Sequence, residues 1–171
     1  MDLQRAICIR KAVIEDNTGI GRIMAWFIAN TQSSWRYQAL DKKEVERWLG
    51  EHLAHPVHQV WVAEIEDRII GYSCLSDFRS GEGYWPCAED SIYVLPDYAG
   101  QGIGTMLMNC ILRQAGVSHL KTVVAAIDSE NQNSIRFHQR FGFRRSGYLQ
   151  NVGWKNNHCL DLVLMVYAVP E

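Results

Sequence analysis

The chain has 171 residues, 47% hydrophobic and 21% charged, with a formal net charge of −2. That supports one soluble domain with a full core over 1–171. The scattered Lys and Arg give no basic face for nucleic acid, and no run of about 18 apolar residues offers a membrane span.

The leading stretch "MDLQRAICIR" has no apolar centre, so a secretory leader is not expected and a cytoplasmic location is. "AICIRKAV" alternates and reads as a first strand. Asp16 or Asn17 can cap a helix whose apolar residues, Ile20, Ile23, Met24, Phe27 and Ile28, recur at helical spacing. Asp41 with Glu44 forms a capping box for a second helix through Val45, Trp48 and Leu49. "HQVWVAEI" and "RIIGYSCLSDF" flank a Glu66-Asp67 turn, as in a β-hairpin. "AEDSIYVLP" is another strand, ended by Pro96.

A helix follows from Gly102 to Ala115, closed by Gly116, and "KTVVAAID" is a short buried strand. "NQNSIRFHQRFGF" is a polar-capped helix with Gly142 at its end. The remainder gives two strands around a turn near Lys155–Asn157. The order β, α, α, ββ, β, α, β, α, ββ implies a mixed, mostly antiparallel sheet with helices on its faces and one βαβ crossover.

Cys8, Cys74, Cys87, Cys110 and Cys159 are widely spaced, odd in number and form no CxxC, so they read as reduced, mostly buried thiols. His52, His55 and His58 recur every three residues, but Pro56 interrupts them and no carboxylate or Cys completes a ligand set. A solvated helix end is expected there, and no metal site.

Gly100, Gly102 and Gly104 open the third helix. The dinucleotide fingerprint needs a glycine at 105, which is Thr105, and no G-K-[ST] triplet supplies a P-loop. What remains is a turn whose glycines allow positive φ and whose helix offers free N–H groups from Gly102 to Thr105. That arrangement suits a pyrophosphate, or is simply a tight strand-to-helix turn.

"YAGQGIGTML" resembles the cofactor motif of the GNAT superfamily of N-acetyltransferases, R/Q-x-x-G-x-G/A. "ENQNSIRFHQRFGF" is similar to its later N-x-x-A-x-x-x-Y-x-x-x-G-F motif through Asn131, Ser134, His138, Gly142 and Phe143. "SDFRSGEGYWPCAEDSIYVLPDYAGQGIG" and "VGWKNNHCLDLVLM" look like stretches of its phosphinothricin, methionine sulfone and methionine sulfoximine acetyltransferase branch. Two positions depart from the pattern. Ala99 replaces the motif's first basic residue, and Asn157-His158-Cys159 stands where the branch has a Gly-Arg-Trp-like run.

The resemblance implies an α+β fold of the GNAT kind. Its central sheet would be mixed, mostly antiparallel and six- to seven-stranded, flanked by about four helices, with strand 91–95 bulged and splayed from strand 122–127. It implies acetyl-CoA as co-substrate, no metal, and a homodimer. Gln101, Gly102, Ile103, Gly104 and Thr105 would hold the pyrophosphate. The strand around Ile92, with the Tyr93 and Val94 main chain, would pair the pantetheine arm, and the Val94 N–H would polarise the thioester carbonyl. Asn131, with Ser134 in the same motif, would contact the arm or simply cap the helix.

An acceptor ammonium must lose a proton before it attacks, and Glu89 matches the branch's catalytic glutamate by position. Asp90 alternates to the other face of the strand and is the weaker candidate. His138 would donate to the leaving thiolate or position it; it also reads as a packed helix histidine. Arg79 is placed as a substrate guanidinium, Trp35 and Tyr84 as aromatic pocket walls or core, and Lys155 as a turn residue near the acceptor or a surface lysine. The implied reaction is direct acetylation of a small amino-acid-like amine. The alternatives are a protein N-terminus, polyamine or aminoglycoside acceptor, or a non-catalytic acyl-CoA sensor.

Overall fold

The computed structural model describes residues 7–170; Ala6 of the expected first strand lies outside them. Strand β1 (Cys8–Lys11) leads to helices α1 (Asn17–Asn30) and α2 (Lys42–Ala54). The hairpin β2 (Val60–Ile65) and β3 (Arg68–Asp77) precedes β4 (Cys87–Val94), helix α3 (Ile103–Val117), β5 (Thr122–Asp128) and α4 (Gln132–Arg140). The hairpin β6 (Arg144–Lys155) and β7 (His158–Ala168) follows. Among the described residues seven strands form one sheet, ordered β1-β2-β3-β4-β5-β7-β6, and only the β4/β5 pair is parallel. That pair is the one α3 connects, as a crossover helix must.

Local chemistry sets most boundaries. Asp41 accepts from the Glu44 N–H at 2.8 Å while Glu44 accepts from the Asp41 N–H at 2.8 Å, which completes the capping box of α2. Asp16 precedes α1 but does not cap it with its side chain. Its carboxylate accepts from the Arg10 guanidinium at 2.7 and 2.9 Å and from the Val13 N–H, tying β1 to the helix start. Gly116 does not close α3. The helix runs through Val117, and the left-handed residue after it is His119 at φ 57°. Both hairpin turns rest on paired left-handed residues, Glu66 with Asp67 and Asn156 with Asn157, the geometry that matches strand twist.

The sheet's two faces carry different cores. Ile20, Ile23 and Leu49 of α1 and α2 pack on Val60, Val62 and Tyr72. On the other face Met108, Ile111 and Ala115 of α3 pack with Leu75, Ala88 and Val123. Of the five free cysteines only Cys74 is buried. His52, expected at a solvated helix end, is buried instead: Nδ1 lies 2.9 Å from the Trp48 carbonyl and Nε2 3.1 Å from the Ser76 hydroxyl. Among the described residues no group of three or more His, Cys, Asp or Glu is arranged to hold a metal ion. No helix among them is long and apolar enough to cross a membrane.

Lys155 is neither a surface lysine nor free to meet an acceptor. It is 4% exposed, and its ammonium donates to the carbonyls of Ile28, Thr31 and Ser34 at 2.8, 2.8 and 2.6 Å. It therefore staples the end of α1 and the following loop to the β6/β7 hairpin. Lys155→Met leaves three carbonyls without their donor and is expected to cost about 2–4 kcal/mol in urea unfolding. An unchanged midpoint would contradict the staple.

Candidate active site

β4 and β5 pair only at Cys87↔Thr122, Ala88↔Val123 and Glu89↔Val124. Beyond Glu89 they part. β4 nevertheless stays in register with β3 through Val94↔Gly71, and β5 stays with β7 through Asp128↔Leu162. The splay is therefore present, but β4 does not bulge against β3, as the resemblance implied. Leu95 N–H donates to the Ile70 carbonyl at 2.9 Å. With an unbroken antiparallel register, the main chains of Tyr93 and Ser91 also face β3, and those of Ile92 and Val94 face the gap. Main-chain pairing at the gap thus falls to Ile92 and Val94, not to Tyr93.

The gap opens into a cleft of about 1240 Å³. Its walls include Glu89, Asp90, Ile92, Val94, Asn131, Ser134 and His138. Ala99, Gly100 and Gly104 line it at the glycine turn, and Trp35 lines it from the α1–α2 loop. Gly100 and Gly102 sit at φ 76° and 81°, which side chains rarely adopt, and α3 starts directly after Gly102. The first-turn N–H groups of Ile103, Gly104 and Thr105 precede the first i→i−4 bond, from the Met106 N–H to the Gly102 carbonyl at 3.1 Å. Gln101 reaches back to the Asp97 carbonyl at 3.4 Å. This turn is a fitting cradle for a pyrophosphate.

Sequence reading missed the cations of this cleft. Ala99 supplies none, but Arg136 and Arg140 of α4 line the same cavity. Their i, i+4 spacing in "SIRFHQR" was the visible signal. Asn131 caps α4 and lines the cleft: its side-chain carbonyl accepts from the Ser134 N–H at 3.1 Å, and its amide donates to the Ser33 hydroxyl at 3.2 Å.

Glu89 and Asp90 are split by the strand's alternation. Glu89 shares a sheet face with Ser91 and Tyr93, opposite Ser76, Cys74 and Tyr72 of β3, under α1 and α2. Burial pushes the Glu89 carboxyl above its usual range, the Asp90 charge adds to this, and Arg79 partly offsets both. Asp90 points to the α4 face, where its Oδ2 lies 3.1 Å from His138 Nε2. His138 Nδ1 lies 2.7 Å from the Ser134 carbonyl, so that nitrogen carries a proton and donates it. Both ring nitrogens are thus engaged, and no N–H of His138 is left for direct donation to a thiolate. Asp90 Oδ1 is buried without a hydrogen-bond partner.

Trp35 packs against β6 at Gly153: a Cβ there would stand 2.6 Å from its ring. Tyr37 donates to the Trp154 carbonyl at 2.6 Å, which fixes the same loop. Arg79 and Tyr84 line neither this cleft nor the smaller cavity beside it. They stand exposed on the β3–β4 connection, both against Phe78, with Arg79 felt electrostatically by Glu89. Lys155, stapled elsewhere, is not brought to the site.

A sheet that parts beyond its one parallel strand pair, with a glycine turn at its mouth, leaves an open main-chain cleft beside an anion cradle. Residues 19–143 match the Acetyltransferase (GNAT) family, and the chain belongs to it. It is an N-acetyltransferase by that membership and by its relatives. It is 32% identical over 157 residues to the L-methionine sulfoximine/L-methionine sulfone acetyltransferase of Pseudomonas paraeruginosa PA7, covering 92% of this chain and 91% of that one. It is 30% identical over 167 residues to the phosphinothricin N-acetyltransferase of Alcaligenes faecalis, covering 96% and 84%. An acetyltransferase of Salmonella typhimurium, solved with its cofactor acetyl-CoA, superposes with a TM-score of 0.92 at 30% identity, covering 97% and 95%.

Burial alone lowers the His138 pKa, but the Asp90 hydrogen bond and charge and the Ser134 carbonyl together raise it above the ordinary value. Stability from this pair is therefore full below the unfolded-state value of about 6.5 and is lost as pH rises through the higher folded value. Asp90→Asn should lower the His138 pKa by NMR titration and flatten that loss of stability. An unmoved titration would break the assigned pairing.

Proposed function

We propose that the chain transfers the acetyl group of acetyl-CoA directly to the α-amine of a small amino acid, with Glu89 as general base. The acceptor class is that of methionine sulfone, methionine sulfoximine and phosphinothricin, the compounds named for its relatives. The observation that carries the reading is the position of Glu89. It is the last residue of β4 paired to β5, and its half-buried carboxyl stands at the apex of the gap.

Each part of acetyl-CoA has a counterpart in the cleft. The N–H groups of the Gln101–Thr105 turn, with Arg136 and Arg140, hold the pyrophosphate. The Ile92 and Val94 main chain pairs the pantetheine arm as an added strand would. Asn131 and Ser134 wall the arm, and the Val94 N–H polarises the thioester carbonyl. Coenzyme A supplies the activated acyl group and leaves as a thiol. Glu89 takes the ammonium proton, directly or through water, on the face where Ser76 and Ser91 stand beside it. His138 holds Asp90 in place, and the thiolate takes its proton from water. Trp35 closes the acceptor side, while Arg79, outside both cavities, partly offsets the rise in the Glu89 pKa.

A homodimer fits the surface of β6, an edge strand that leaves Tyr148, Leu149, Val152 and Trp154 exposed. Light scattering after size exclusion is expected to give twice the chain mass; a monomer at micromolar concentration would remove the dimer.

Turnover by thiol release should rise with pH through a Glu89 value above the usual carboxylate range, because the ionised form is the base. Glu89→Ala should lower kcat/KM by about 100-fold or more, and unchanged turnover from about pH 6 to 9 would remove the assignment. Ala99→Arg adds an exposed charge at the pyrophosphate turn. It should tighten acetyl-CoA by less than about 1 kcal/mol and leave acceptor KM alone. A large change in acceptor KM would mean that the turn serves something else.

A further inference from the structure

Beside the cleft lies a second cavity of about 120 Å³ that shares Phe27, Ser91 and Tyr93 with it. It sits on the face of the sheet that carries Glu89, since Tyr72, Cys74 and Ser76 line it and stand opposite Tyr93, Ser91 and Glu89. Met24, Ile28, Leu40 and Trp48 make its apolar wall.

Its polar groups are asymmetric. His52 Nδ1 faces the Trp48 carbonyl and must donate, so in the neutral ring Nε2 accepts the Ser76 hydroxyl proton. Ser76 therefore offers lone pairs, not a proton, next to Glu89. Arg36, on the loop after α1, is the one charged group in the lining, and no hydrogen bond or ion pair among the described residues holds its guanidinium. No carboxylate lines the cavity.

We propose that this cavity is the acceptor's side-chain subsite, and that Arg36 recognises an oxygen-bearing head on a short apolar stem. The inference rests on the reading of Glu89 as the base and adds where the acceptor's tail goes. The amine lies at the Glu89 and Ser76 end, where acceptors of hydrogen bonds stand. The stem crosses Phe27 and Trp48. A sulfone, sulfoximine or phosphinate oxygen meets the Arg36 fork, which suits paired oxygens. A cationic tail finds a guanidinium and no carboxylate, so lysine, polyamines and aminoglycosides are rejected here.

The test is thiol release by the full chain with acetyl-CoA and three acceptors: L-methionine sulfone, L-methionine and L-lysine. The wild type should prefer the sulfone to methionine and turn over lysine least. Arg36→Gln, at an exposed position, should lower the ratio of kcat/KM for sulfone over methionine about tenfold, and Arg36→Lys should restore part of it. An unmoved ratio, or a wild type that favours lysine, overturns the subsite while leaving the acetyltransfer reading intact. A wild type inactive on all three acceptors overturns both.

Discussion

The site depends on one constraint: beyond Glu89, β4 and β5 are held in the sheet by their outer neighbours and not by each other. β3 grips β4 from Ala88 to Val94, and β7 grips β5 along its whole length. Between them only three residue pairs form before the strands separate. Backbone N–H and C=O groups need partners, so the open inner edges of the two strands make a binding surface out of main chain. A peptide-like arm is the natural occupant of such a surface. α3 follows from the same constraint, because the crossover that joins two parallel neighbours also brings its N-terminal turn to the mouth of the gap.

The second consequence is a division of labour between two adjacent carboxylates. Strand alternation sends Glu89 to the face under α1 and α2 and Asp90 to the face under α4. Glu89 keeps a raised pKa and lines the larger cavity. Asp90 is committed to His138 and is nearly inaccessible. Three anchors hold the loop after α1, which lines the cleft through Trp35: the Lys155 ammonium, the Tyr37 hydroxyl and the Trp35 ring on Gly153.

Much of this was legible in the sequence where local rules decide. The capping box at Asp41, the Glu66-Asp67 hairpin and the glycine turn are short-range features, and each forms as its residues dictate. The parting of β4 from β5 followed only from the motif resemblance, since pairing between distant strands leaves no periodic signature. What stayed hidden depends on tertiary neighbours. Lys155 reads as a turn lysine until three carbonyls from distant residues surround it. His138 reads as a thiolate donor or a packed helix histidine until Asp90 is found across it. Arg36 and the small cavity exist only once α1, α2 and the sheet meet.

The most direct test of the account is hydrogen exchange at single-residue resolution with and without acetyl-CoA. The account predicts that the Ile92 and Val94 amides gain protection on binding, while that of Tyr93, already directed to β3, changes little. Protection confined to the glycine turn, with Ile92 and Val94 unaffected, would contradict the gap as the cofactor's seat.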